Sequence, residues 1–164
     1  MKRIRRSAIW GIIAAILAVL LVTGCSGASG KTSRKQNTDP VSDAITVTED
    51  GEYTSKEEVA LYVHLYDHLP DNYITKAEAK ALGWDSREGN LWEVAPGKSI
   101  GGDSFGNFEG LLPKKKSRKY YECDVDYQGG YRSAERLIYS NDGLVYYTED
   151  HYETFEQLYG EDDG

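Results

Sequence analysis

Cysteine is nearly missing from this chain: two of 164 residues, Cys25 and Cys123. Two thiols cannot build the dense disulfide framework of a small secreted scaffold, and no Cys/His cluster has metal-ligand spacing. Long apolar runs are also missing after the first 25 residues, which excludes a multi-span membrane protein. Positive charge is in deficit, 19 Lys plus Arg against 27 Asp plus Glu. That balance argues against non-specific nucleic-acid binding, so any polyanionic substrate needs a local positive site. What remains is an ordinary hydrophobic core, for which 13 Tyr, three Trp and three Phe supply material. A domain of ~110 residues buries roughly two-thirds of its unfolded surface. One compact domain is expected.

Residues 1–24 read as a signal peptide: Met1-Lys-Arg-Ile-Arg-Arg, then an apolar run from Ala8 to Val22. The end, Leu-Val-Thr-Gly-Cys25, resembles a bacterial lipoprotein cleavage box, which would make Cys25 a lipidated N-terminus. Two or more acyl chains hold a protein stably at a membrane, whereas one does so only marginally. An uncleaved anchor and a simple secreted form are the alternatives, and a run this short suits a ~30 Å hydrocarbon core poorly. The two main readings, lipoprotein and anchor, both put the domain outside the cytoplasm, extracellular or at the cell surface. Without the leader, 15 basic and 27 acidic residues remain, net −12. Residues 25–44, rich in Gly, Ser, Thr and Lys, form a linker after the anchor cysteine; as a coil its 19 residues after Cys25 span roughly 24 Å. The domain follows as 45–160, and 161–164 is a solvated acidic tail.

Helical spacing of Val59, Tyr62, Val63 and Tyr66 predicts a helix over Thr54 to Asp67, capped by Thr54 or Ser55 and ended before Pro70. Thr75 caps a second helix through Ala77, Ala79 and Leu82 to Gly83, and Asn90 a third around Leu91 to Val94. Period-two patterns then predict strands over Lys119 to Tyr127, Ala134 to Tyr139 and Leu144 to Thr148, with Asn141-Asp142-Gly143 as a hairpin turn. Helices first and antiparallel strands later make an α+β domain. The stretch Pro96 to Asp103 lacks phosphate-loop spacing and reads as turns.

In Tyr120 to Asp126 the acids Glu122, Asp124 and Asp126 share one face, and Arg132 and Arg136 follow with even separation. A solvated polar face and a functional one are both open on this pattern. His151, in a loop between acids, can give or take a proton near neutral pH. Cys123 reads as a small buried strand residue, and His64 and His68 as helix-surface residues.

Four runs in order, Leu69-Pro-Asp-Asn-Tyr-Ile-Thr-Lys76, Ala81-Leu-Gly-Trp84, Val94-Ala-Pro-Gly-Lys-Ser-Ile-Gly-Gly-Asp103 and Asp150-His-Tyr152, resemble the barnase family, the guanyl-preferring microbial ribonucleases. The resemblance continues from about Val59 to Phe155. It implies helices packed on a C-terminal antiparallel sheet and endonucleolytic RNA cleavage without a metal or cofactor. On this resemblance Glu122 is the general base, His151 the general acid, and Lys76, Arg132 and Arg136 hold the phosphate. Asp103 and Asp124 orient those cations, and Tyr152 stands beside the phosphate. Phe105, Gly106, Asn107, Phe108 and Glu109 form the guanine loop, read through backbone N–H groups and the Glu109 carboxylate.

Two departures fall in that loop: Phe108 stands where the family generally has arginine, and Gly106 where it often has serine. A lost arginine weakens the hold on RNA, while a phenylalanine offers a stacking face. Net repulsion of RNA predicts activity that rises with moderate salt or divalent ions. Lys114, Lys115, Lys116, Arg118 and Lys119 either offset it locally or form a plain solvated loop. The implied partners are RNA, a membrane through lipidated Cys25 and a small acidic inhibitor protein, with the enzyme itself a monomer. The competing reading is a catalytically weakened lipoprotein that binds RNA or protein.

Overall fold

The computed structural model describes residues 45–162; the leader, Cys25, the linker to residue 44 and residues 163–164 lie outside them. Helix α1, Lys56–Tyr66, begins where Ser55 leaves the helix geometry at φ −68 and ψ 148. Its hydroxyl accepts the Glu58 N–H at 3.3 Å and donates to the Glu58 carboxylate at 2.6 Å, so Ser55 rather than Thr54 is the cap. Helix α2, Lys76–Ala81, carries a full capping box between Thr75 and Glu78 and ends just short of Leu82, where the apolar pattern would carry it on to Gly83. Helix α3 is Leu91–Val94. Asn90 does not cap it through its side chain; that amide is spent on the Asp85 N–H at 2.8 Å and the Gly83 carbonyl at 3.2 Å.

Among the described residues six strands form one sheet in chain order: β1 Tyr73–Ile74, β2 Ser99–Phe105, β3 Tyr120–Asp124, β4 Arg136–Ser140, β5 Val145–Thr148 and β6 Glu156–Tyr159. Only β1 and β2 pair in parallel. Asn141, Asp142 and Gly143 turn β4 into β5, with Gly143 at φ 91. Pro96 to Asp103 is not a run of turns: from Ser99 onward it is β2, the longest strand among the described residues. Gly101 is there for close approach, since a Cβ on it would collide with Cys123, Tyr73 and Leu69.

A bulge between Gly101 and Asp103, with Gly102 at φ 90, sets the polarity of the site. Gly101 pairs with Cys123, yet Asp103 pairs with Glu122. Without the extra residue Asp103 would fall on the opposite face, because side chains alternate along a strand. With it, Asp103 and Glu122 share a face.

The other face, bearing Cys123, Leu137, Tyr139 and Val145, packs on Val59, Ala60 and Val63 of α1. A second cluster holds α2, α3 and Ile100 together through Ala79, Trp84, Leu91 and Tyr127. A third, Leu112, Tyr120, Ile138, Leu144 and Tyr146, supports the site face, with Phe105, Tyr152 and Phe155 against it. Cys123 is 1% exposed as expected, and burial pushes its thiol well above the ordinary range. His64 and His68 are exposed, His64 stacking on Tyr159 at 4.5 Å. Among the described residues no helix is long and apolar enough to cross a membrane.

Candidate active site

Strand β3 places Glu122 and Asp124 on one face, and both are buried, at 8% and 1% exposure. The reading of a solvated acidic face therefore fails for these two. Buried carboxylates need partners, and each has two. Glu122 accepts from Lys76 Nζ on one oxygen and from the Tyr152 hydroxyl at 2.6 Å on the other. Burial raises its pKa, but these hydrogen bonds and the charges of Lys76 and Arg132 outweigh that and hold the carboxyl below the ordinary glutamate value. Tyr152 is pushed up to about 12 by burial and by its bond to Glu122. It thus contacts the carboxylate.

Asp124 accepts Arg132 at two points, Nε and Nη2, each at 2.6 Å. Arg136 stands opposite Asp124 in the β3–β4 register, its Nε 2.9 Å from Oδ1 but off line for a hydrogen bond. Its Nη1 donates to the Glu135 carbonyl at 2.6 Å. Arg132 lies in the loop before β4, beside the Trp84 ring at 6.0 Å. Asp103 accepts the backbone N–H of Lys76 at 2.9 Å, which fixes the first residue of α2 over the sheet. Asp103 therefore positions Lys76 through its main chain, not through its ammonium.

His151 and Tyr152 follow β5 in a turn where both have positive φ, 59° and 77°. Such a pair of non-glycine residues is costly and must be held from outside. Asp150 does this, its carboxylate accepting from Thr148 Oγ1 at 2.9 Å, the Glu153 and Thr154 amides at 3.0 and 2.9 Å, and Thr154 Oγ1 at 2.6 Å. Thr148 Oγ1 in turn accepts the Tyr152 N–H at 3.0 Å. These bonds, the Thr154 hydroxyl first, lower Asp150 to about 2. Sequence reading missed Asp150 and Thr148 as organisers of the turn. The available signal was an acid with hydroxyl residues two before and four after it, the makings of an Asx-type turn.

Lys76, Glu122, Arg132, His151 and Tyr152 line one cleft of about 670 Å³, together with Ser104 to Glu109. Arg136, Asp103 and Asp124 do not line it; Arg136 is 2% exposed and pairs with the same carboxylate as Arg132. In the loop, Asn107 has φ 42, and its side chain is committed to both backbone groups of Leu112, at 2.9 and 3.1 Å. It can offer a ligand only its main chain. Phe108 is 89% exposed. A Cβ at Gly106 would fall on the Phe108 ring, so the two departures in this loop are one packing arrangement.

A buried carboxylate held by a lysine and a tyrosine, a histidine in the same cleft and an arginine on its wall form a site for proton transfer beside an anion. The ribonuclease family model matches residues 56–159. Ribonucleases from Heyndrickxia coagulans and Bacillus intermedius are each 57% identical over 100 residues, 61% of this chain. The match spans 92% of the first and 62% of the second, a little under two-thirds. Guanyl-specific ribonuclease St from Saccharopolyspora erythraea is 42% identical over 55 residues, 33% of this chain and 54% of that protein. The chain belongs to the ribonuclease family, in its barnase branch of α+β microbial enzymes.

Proposed function

We propose that this protein is an endoribonuclease that cuts single-stranded RNA after guanosine, without a metal, outside the cytoplasm. The observation that carries the reading is the pairing of Glu122 with Lys76 and Tyr152 in the cleft that also holds His151 and Arg132. A carboxyl kept below its usual pKa is ionised at neutral pH and can take the proton of a ribose 2′-hydroxyl. The freed oxygen attacks the adjacent phosphorus and expels the 5′-oxygen, which takes a proton from His151 as imidazolium. A 2′,3′-cyclic phosphate is left. Water then opens the ring, with His151 as base and Glu122 as acid. Lys76 and Arg132 stabilise the charge gathering on the phosphate, and Arg136, through Asp124, holds Arg132 in place.

Guanine fits the loop from Phe105 to Glu109, where main-chain N–H groups and the Glu109 carboxylate match its edge. Cys25 as a lipid anchor would tether the enzyme to the outer face of the membrane. A small acidic protein seated over Lys76 and Arg132 is the class of inhibitor that this cleft suits, and the enzyme acts as a monomer.

The test is cleavage of short RNAs bearing a single G, A, C or U by the full chain, with chelator present and His151→Ala as control. Cutting after G that is lost in the variant supports the metal-free chemistry and the guanine preference; cutting without base preference confines the reading to the chemistry. A folded protein that cuts none of them is instead a tethered binding module. Palmitate labelling that Cys25→Ser abolishes would test the anchor.

A further inference from the structure

Residues 45–162 carry 12 Lys plus Arg against 24 Asp plus Glu. Half of those cations, Lys56, Lys76, Arg87, Arg118, Arg132 and Arg136, stand in ion pairs. Arg118 adjoins the basic loop in sequence, but its side chain is 2% exposed and bound to Asp142 at 2.9 Å and Asp162 at 3.0 Å. It is structural, and Asp162 is correspondingly anchored rather than part of a solvated tail. Lys98 donates to the Asp71 carbonyl, and Lys80 lies in the last turn of α2. Lys114, Lys115, Lys116 and Lys119 remain, all exposed and without an ion-pair partner among the described residues.

Three of these four, Lys114, Lys115 and Lys119, line a second cleft of about 510 Å³ with Pro113 and Tyr120. Its far wall is Ser104 to Phe108, the same stretch that walls the catalytic cleft. Phe108 borders both. Asp142 and Asp162 are neutralised in part by Arg118, and Lys115 also acts on Asp142.

Two adjoining clefts, one lysine-lined, with an exposed aromatic ring on the ridge between them, have the make-up of a single-strand groove. Lysine ammonium groups bind phosphate oxygens as point charges, and aromatic faces stack on any base. At 0.1 M salt the Debye length is about 10 Å, so repulsion from distant acids is screened while interactions in the cleft are not.

We propose that the lysine-lined cleft is a second RNA subsite, which holds backbone phosphates of nucleotides flanking the cleaved linkage, the strand crossing Phe108 between the two clefts. This rests on the ribonuclease reading above. It requires RNA longer than a dinucleotide, and it accounts for how so acidic a domain engages a polyanion.

The test compares the full chain with a Lys114→Gln, Lys115→Gln, Lys119→Gln variant on the dinucleotide GpU and on a 12-nucleotide RNA with one central G. The variant should lose at least tenfold in kcat/KM on the 12-mer, through KM, and stay within twofold on GpU. Its log–log slope against salt on the 12-mer should be more positive than the wild-type slope by about 2, at roughly 0.7 for each phosphate that a lysine no longer neutralises. Binding of the 12-mer with 2′-deoxyguanosine at the G, measured by anisotropy, should weaken in parallel. That readout needs no catalysis: wild-type binding that the variant weakens, with no cleavage by either, would overturn the ribonuclease reading and keep the subsite. Equal losses on both substrates, or none on the 12-mer, would overturn the subsite. So would a lysine effect seen only in sedimentation with phosphatidylglycerol vesicles, which would turn this face to the membrane.

Discussion

Arg132 closes a two-point hydrogen bond on Asp124, both at 2.6 Å, and that carboxylate is 1% exposed. Arg136 lies on the same acid, 2.9 Å from Oδ1. One buried group thus holds two cations, and only one of them reaches the cleft. Asp124→Asn would leave both guanidiniums under-compensated in the interior. Breaking a buried pair of this kind costs about 3–5 kcal/mol. The denaturant midpoint should drop accordingly, and cleavage should fall in the fraction that stays folded.

Glu122→Gln should lower kcat by about 10²- to 10⁴-fold with the fold retained, since amide and carboxylate have the same shape but only one takes a proton. The same residue contributes to acid stability. Its folded pKa lies below the ordinary value of 4.5, so its contribution is fully present above pH 4.5 and is lost as pH falls through the folded value. Wild-type protein should therefore lose stability across that acid window, and Glu122→Gln should flatten the curve there. Thermal melts from about pH 6 down to about pH 3 would check it.

The turn carrying His151 depends on Asp150, which receives four hydrogen bonds while the next two residues sit at φ 59 and φ 77. Asp150→Ala should reduce kcat by about 10- to 100-fold with little change in KM for GpU, because the acid is misplaced while the groups that hold the phosphate remain. Asp150→Asn should restore part of the rate, since the amide oxygen still accepts the backbone N–H groups. A merely structural role would show no such split.

Phe108→Arg should lower KM for RNA and make the log–log slope against salt more negative by about 0.7, one more phosphate being neutralised. Positions 106 and 108 should also be coupled. Gly106→Ser displaces the Phe108 ring, onto which its Cβ would fall, but leaves an arginine at 108 free to move away. A double-mutant cycle on guanine preference should depart from additivity by about 0.5–3 kcal/mol; additive effects would separate the two positions.

The three helices were legible in the sequence because their signals are local. Thr75 and Glu78 are three residues apart and satisfy each other, whatever the rest of the chain does. Strands β3, β4 and β5 and the Asn141-Asp142-Gly143 turn were legible for the same reason, with boundaries off by at most three residues. Strands β1, β2 and β6 were not. β1 has two residues, β6 is largely exposed, and β2 contains two adjacent glycines that read as turns until Cys123 packs against one of them.

Alternation along the chain by itself determined that Glu122 and Asp124 share a face, and the collinear motifs named the candidate base, acid and cations. Only the tertiary structure decided which cation meets which acid. Lys76 reaches Glu122 across 46 positions of chain, Arg132 and Arg136 converge on Asp124, Arg118 is withdrawn into ion pairs with Asp142 and Asp162, and the β2 bulge turns Asp103 to the site. A side chain's face follows from two-residue periodicity. Its partner follows from register and bulges, which are set by packing between segments far apart in sequence.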